Sequence, residues 1–171
     1  PPLLPLPGWG RPLRKLPAML EIAEELGSPM VILHVPKVTD LAQPRAVRFL
    51  EALKAYRGKT YRGPEVVLET PGIFFPRDNS YFLHSPRHLA ELSQEQGIRL
   101  VLDTAHVGTT SLGLMESYHI HRPYLANVHF SDLKELAGLV DSPWLHSLLK
   151  HHQLPGEGAL PLDRLLRALQ E

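Results

Sequence analysis

Apolar positions along the chain recur with two alternating periods. From Leu13, the residues Leu16, Met19, Leu20, Ala23 and Leu26 follow helical spacing, and Gly27 with Pro29 stops the run, which predicts an amphipathic helix. Met30 to Val35 (MVILHV) then reads as a buried strand with His34 near its C-terminal end. Pro44 can open a second helix, with Val47, Leu50 and Leu53 on one face and an end near Gly58, and Glu65 to Glu69 is the next strand. Ser85 and Pro86 form an N-cap and first-turn pair for a helix through Leu89, Leu92 and Gln96 that stops at Gly97. The run from Ile98 to Gly108 (IRLVLDTAHVG) predicts a central strand over Leu100 to Leu102. Asp103 emerges at its C-terminal end and His106 lies in the loop just beyond. A short helix around Leu112 to His119 leads to a strand from Tyr124 to Phe130. Ser142 with Pro143 starts another helix through Leu145, Leu148 and Leu149, and Leu162, Leu165, Leu166 and Leu169 are in helical register in the last piece, Pro161 to Glu171. Two segments fit neither period. Pro1 to Pro12 is a proline-rich lead-in, and Thr70 to His84 is a long aromatic segment that fits a substrate-covering loop as well as a plain packed connection.

Strand, helix, strand alternation implies right-handed βαβ units and a parallel sheet. The strand-end positions 34, 69, 103 and 129 each carry a ligand-type residue, and one helix fills each gap. An open nucleotide-binding sheet has little support, because no strand is followed by a glycine-rich phosphate turn. Polar residues at successive strand ends favour the eight-fold barrel, in which all strand ends converge on one mouth. A whole barrel needs ~250 residues. The 171 residues are therefore expected to form one α/β domain, an incomplete (β/α)8 TIM barrel of about strands 3 to 7 with flanking helices, the fifth strand lying near His151.

Composition narrows the chemistry. A 43% hydrophobic and 21% charged chain is long enough for one sizeable core. The absence of cysteine removes disulfides and thiolate metal sites together, leaving His, Asp and Glu as strong side-chain metal ligands. Eighteen basic residues balance eighteen acidic ones, so no overall basic field gathers nucleic acid. Neither a membrane-spanning run nor a secretory signal is evident, and the cytoplasm is the default location.

At the strand ends, Glu69, Asp103 and His129 can converge on one divalent cation, with an oxygen and imidazole set that suits Mn, Mg, Co or Zn. His34, His106 and His152 can hold a second metal or orient substrate. The bland alternative for the central string is an Asp103 that caps a turn beside a partly buried His106. His84, His88, His119, His121 and His146 lie in helices or loops and are expected at the surface.

The strings LETPG (68 to 72), LDTAH (102 to 106), VHFSDLK (128 to 134) and HHQLPGEG (151 to 158), in that order, resemble the xylose isomerase-like barrel superfamily. That superfamily includes sugar isomerases and epimerases, inosose dehydratases, hydroxypyruvate isomerases and the endonuclease IV class of apurinic endonucleases. The resemblance implies metal ligation by Glu69, Asp103 and His129, a substrate or second-metal role for His106, and for His34 the place of a histidine that ligates zinc in the endonucleases. Two departures stand out. The endonucleases carry an Asp-x-His string where Leu149 and Lys150 here precede His151 and His152 by two, and the superfamily's last glutamate ligand falls after Glu171. Glu157 is not that residue and reads, with Asp132, as part of the mouth surroundings.

The expected function is a metal-dependent isomerase or epimerase acting on a sugar or sugar phosphate by proton transfer next to a carbonyl. Glu69 would be one acid/base partner, and His106 and Lys134 would hold substrate oxygens. An abasic-site endonuclease is the alternative, and a truncated, non-catalytic binding module is a third. A barrel opened by missing strands exposes sheet edges, so homo-oligomers are also expected.

Overall fold

A computed structural model describes residues 15–57, 63–134 and 152–171. The proline-rich lead-in, the helix expected from Ser142, His146 and His151 lie outside the described residues. In chain order the elements are α1 (Leu16–Glu25), β1 (Met30–His34), α2 (Pro44–Arg57), β2 (Glu65–Glu69), α3 (Pro86–Gln96), β3 (Leu100–Asp103), α4 (Thr104–Gly108), α5 (Gly113–His121), β4 (Leu125–His129) and α6 (Leu162–Leu169). The four strands form one parallel sheet in the order β1-β2-β3-β4, the arrangement of a partial α/β barrel.

Register explains how one sheet face collects the polar strand ends. His34 pairs with Glu69, Glu69 with Val101, and Asp103 with His129. Paired residues share a face, and residues two apart along a strand share it too, so His34, Glu69, Asp103 and His129 all project from the same side. The opposite side is apolar. Val31, Leu33, Val66, Leu68 and Leu100 pack there with Leu16 and Leu20 of α1, Phe49 and Leu53 of α2, and Leu89 and Leu92 of α3. A second cluster joins Leu102 to Leu114, Tyr118, Leu162 and Leu165, which seats α6 on α5.

Helix ends follow local chemistry. Gly97 adopts a left-handed conformation (φ 57°) at the end of α3, and the next amide, Ile98 N, bonds back to the Ser93 carbonyl at 3.1 Å. The buried stripe of α2 is Ala46, Phe49 and Leu53, whereas Val47 is exposed, one position off the face expected from the sequence. The fifth strand expected near His151 lies outside the described residues, and next to it Gln153 forms an isolated antiparallel bridge to Asp132. No helix among the described residues is long and apolar enough to cross a membrane.

Two histidines expected at the surface are buried. His84, in the short 3-10 turn Phe82–His84, and His121, the last residue of α5, are 5% and 1% exposed. They line one small cavity with Thr70, Pro71, Pro86 and Leu89. The His121 Nε2–H donates to the Pro86 carbonyl at 2.9 Å, and among the described residues Nδ1 of each histidine has no hydrogen-bond partner. Their places in a short turn and at a helix end hid this burial, which arises only when α5 and the 70–84 loop fold against α3.

Burial pushes both imidazoles down to about 4, assisted at His84 by the positive charge of Lys37 and opposed at His121 by the bond to Pro86. A folded-state pKa below the ordinary value of about 6.5 means that the unfolded chain binds more protons between those two values. Stability from this source is complete above pH 6.5 and is lost as pH falls toward 4, by an amount on the order of a few kcal/mol per histidine. Denaturant melts at pH 7.5 and pH 5 are expected to show this loss, and the His84→Gln, His121→Gln double variant is expected to show a flatter profile. An equally steep profile in the variant would refute the neutral buried state.

Candidate functional site

The polar strand ends open into a cavity of ≈ 680 Å³ whose lining includes His34, Glu69, Asp103, His106, His129, Ser131 and His152. Glu69 ends β2 with both oxygens engaged: Oε2 lies 3.0 Å from His34 Nδ1 and Oε1 2.8 Å from His129 Nδ1. Asp103 divides its carboxylate between two tasks. Oδ1 accepts the His106 backbone N–H at 3.0 Å and so caps α4, while Oδ2 faces Nδ1 of His129 (3.7 Å), His152 (3.8 Å) and His106 (4.0 Å). Capping and site-facing roles, which the sequence posed as alternatives, thus coexist in one side chain.

His106 lies inside α4 and not in a loop, because the Asp103 cap starts a helix directly at the strand end. Its Nδ1 lies 2.9 Å from the Thr70 carbonyl. A carbonyl only accepts, so Nδ1 carries a proton, and in the neutral ring the lone pair is on Nε2. The ring is fixed further by the edge of Phe74, whose centroid is 5.4 Å away. Phe74 belongs to the irregular 70–84 segment, which is tied down by the fully buried Asp78. That carboxylate accepts from the amides of Phe74 and Phe75 at 3.0 Å each and from Lys37 Nζ at 3.1 Å. Burial alone would raise the Asp78 pKa, but the Lys37 contact and the two amides outweigh it and hold it below the usual carboxylate value.

Glu69 and Asp103 are 5% and 2% exposed, and among the described residues their ion-pair partners are histidines alone. Two buried carboxylates in one mouth require positive charge nearby. Two overlapping sets of donor atoms are available, Glu69 with Asp103 and His129, and Asp103 with His106 and His152, each with its atoms within 4.8 Å of one another. Ligands at about 2.0–2.2 Å from a common cation stand about 3 to 4.4 Å apart, so both sets fit a divalent ion with small side-chain adjustments.

The remaining sequence candidates are placed differently. Lys134 and Glu157 are exposed and do not line the cavity, and Asp132 is buried beside it with its carboxylate turned toward backbone amides. Sequence inspection missed Thr70 and Thr104. Thr70 Oγ1 accepts the Asp103 amide at 2.9 Å, and Thr104 Oγ1 donates to the His129 carbonyl at 3.1 Å and accepts the Ser131 amide at 2.9 Å. Each threonine directly follows a strand-end carboxylate, which is the one signal that could have found them.

Among solved structures, a xylose isomerase domain-containing protein from Salmonella typhimurium LT2 is 19% identical with a TM-score of 0.64, over 92% of this chain and 56% of that one. A xylose isomerase domain protein from Planctomyces limnophilus is 17% identical with a TM-score of 0.66, over 92% and 52%. The 3-keto-D-glucoside 4-epimerase from E. coli is 16% identical with a TM-score of 0.50, over 92% and 68%. The chain thus spans about half the length of the first two. No curated protein sequence gives a significant match. The profile of the xylose isomerase-like TIM barrel family matches residues 4–171, nearly the whole chain, and agrees with the parallel sheet and its polar strand ends. The chain belongs to the xylose isomerase-like TIM barrel family.

Proposed function

We propose that this chain carries the metal and acid/base site of an isomerase or epimerase that moves a proton next to the carbonyl of a sugar or sugar phosphate. The observation that carries this reading is the pair of buried carboxylates, Glu69 and Asp103, converging with His129 in an open cavity and paired only with histidines among the described residues. A small polyhydroxylated substrate suits such a mouth, and the solved epimerase of similar fold is named for a keto-glucoside. A divalent cation held by Glu69, Asp103 and His129 would polarise a substrate hydroxyl and carbonyl pair and acidify the adjacent C–H.

The protein's own groups supply the rest. Glu69 acts as one acid/base partner, taking up the proton from the substrate carbon, its carboxylate steered by His34 and His129 on its two oxygens. His106, with Nδ1–H committed to the Thr70 carbonyl, presents Nε2 as an acceptor for a substrate hydroxyl or as a ligand. Phe74 packs perpendicular to that imidazole and helps fix its orientation. Lys134 would reach only a substrate that extends beyond the cavity, such as one bearing a phosphate. The contact of His34 with Glu69 favours a second reading, an abasic-site endonuclease with an additional zinc. A balanced net charge opposes it, because binding to duplex DNA draws its affinity from phosphate neutralisation.

Calorimetric titration with Mn or Co is expected to show binding that Glu69→Ala, Asp103→Ala and His129→Ala each weaken by roughly 10- to 100-fold or more. Unchanged affinity in the triple variant would remove the site. In D2O, the metal-loaded protein is expected to incorporate deuterium beside the carbonyl of a keto sugar, with Glu69→Gln slower by roughly 10²- to 10⁴-fold. Exchange at the same rate in the variant would exclude Glu69 as the base. An abasic duplex is expected to stay intact with added zinc; nicking that disappears in Glu69→Ala would replace the isomerase reading with the nuclease one.

A further inference from the structure

Asp132 stands three residues past His129, is 1% exposed, and does not line the cavity. Its carboxylate is fully engaged by main-chain donors. Oδ1 accepts from Leu133 N (2.8 Å) and Leu160 N (3.1 Å), and Oδ2 from Gly156 N and Gly158 N (3.0 Å each). Four N–H donors fill the acceptor capacity of a carboxylate, so Asp132 has none left for a cation or a substrate proton. Three of those donors belong to the distant 156–160 turn. The backbone of Asp132 also exchanges both hydrogen bonds with Gln153, N to O and O to N at 2.9 Å. His152 is thereby held at the start of a loop clamped on both sides.

His152 itself is in the left-handed region, at φ 56°, a conformation uncommon for a residue with a Cβ. That backbone turns its ring toward the site: the centroid lies 5.2 Å from that of His106, and Nδ1 is 3.2 Å from Ser131 Oγ and 3.8 Å from Asp103 Oδ2. Ser131 immediately precedes Asp132, so one corner of chain orients the ring and fixes the backbone below it. Gly158 is the complementary requirement, since a Cβ there would lie 2.3 Å from Asp132 Oδ1 and 2.6 Å from the Leu133 carbonyl.

We propose that Asp132 is a positioning residue that presents His152 to Asp103 and His106, through the 152–160 loop, and so builds the second of the two donor sets. The metal part of this inference rests on the function proposed above; the positioning of the ring does not. Asp132→Asn removes acceptors for the loop amides with little change of shape, and Gly158→Ala pushes the same loop off while leaving the carboxylate in place. In histidine-labelled, metal-free protein, nitrogen–proton correlation spectra are expected to show the His152 ring resonances moved in both variants, with those of His34 and His129 unmoved. Titration with Co(II) is expected to lose at least tenfold affinity for a second equivalent, with the first equivalent unchanged, and His152→Gly is expected to reproduce that loss while melting no lower than the parent.

His152 resonances unmoved in both variants would overturn the proposal. So would equal disturbance of all the site histidines, or collapse of the whole fold in both, since Asp132 would then be a general loop anchor. A parent protein that binds no Co(II) would refute the metal site of the proposed function, and the metal-free spectra would still decide the role of Asp132.

Discussion

Electrostatic compensation of Glu69 and Asp103 is the constraint around which this chain is arranged. Burying one carboxylate without a partner costs several kcal/mol, and burying two within one mouth compounds the cost. The structure answers with imidazoles, His34 and His129 on Glu69 and a ring of three histidines around Asp103 Oδ2. Imidazoles can balance this charge either as hydrogen-bond donors or as ligands to a shared cation, which ties the stability of the mouth to its chemistry.

The loops around the mouth are held by a second use of the same physics. Asp78 gathers the amides of the 70–84 segment together with Lys37, and Asp132 gathers those of the 156–160 turn. For Asp132 burial works against ionisation, but four amide donors overcome it and keep the carboxyl below its usual range. Thr70 and Thr104 do the equivalent work with hydroxyls at the ends of β2 and β3. In each case a buried polar side chain replaces the regular secondary structure that the loop lacks, satisfying backbone groups that would otherwise be stranded.

The distribution of apolar burial fits the same picture. The helix-facing side of the sheet is closely packed through Val31, Leu33, Val66, Leu68 and Leu100, while Met30, Ile32 and His34 on the other face of β1 stay partly or fully exposed. A parallel sheet is ordinarily covered on both faces. In a barrel the inner face is covered by the sheet's own curvature, and the four strands among the described residues provide part of that closure.

The sequence by itself determined the succession of elements and the identity of the strand-end residues. Helical and strand periods, together with Gly97, Ser85 and Pro86, were enough to place β2 at Glu65–Glu69 and α3 at Pro86–Gln96, because those signals are local. The shared strand-end position also led to the expectation that Glu69, Asp103 and His129 would converge, with His34 nearby, since the strand ends of a barrel open into one mouth. Only the tertiary structure decided the burial of His84 and His121, the shift of the α2 stripe from Val47 to Ala46, and the helical setting of His106. It also decided that Asp132 faces inward to distant amides and that His152 is turned toward Asp103 by a left-handed backbone. Those features depend on contacts between segments far apart in the chain, and a local pattern of polar and apolar residues carries no information about which distant surface a side chain will meet.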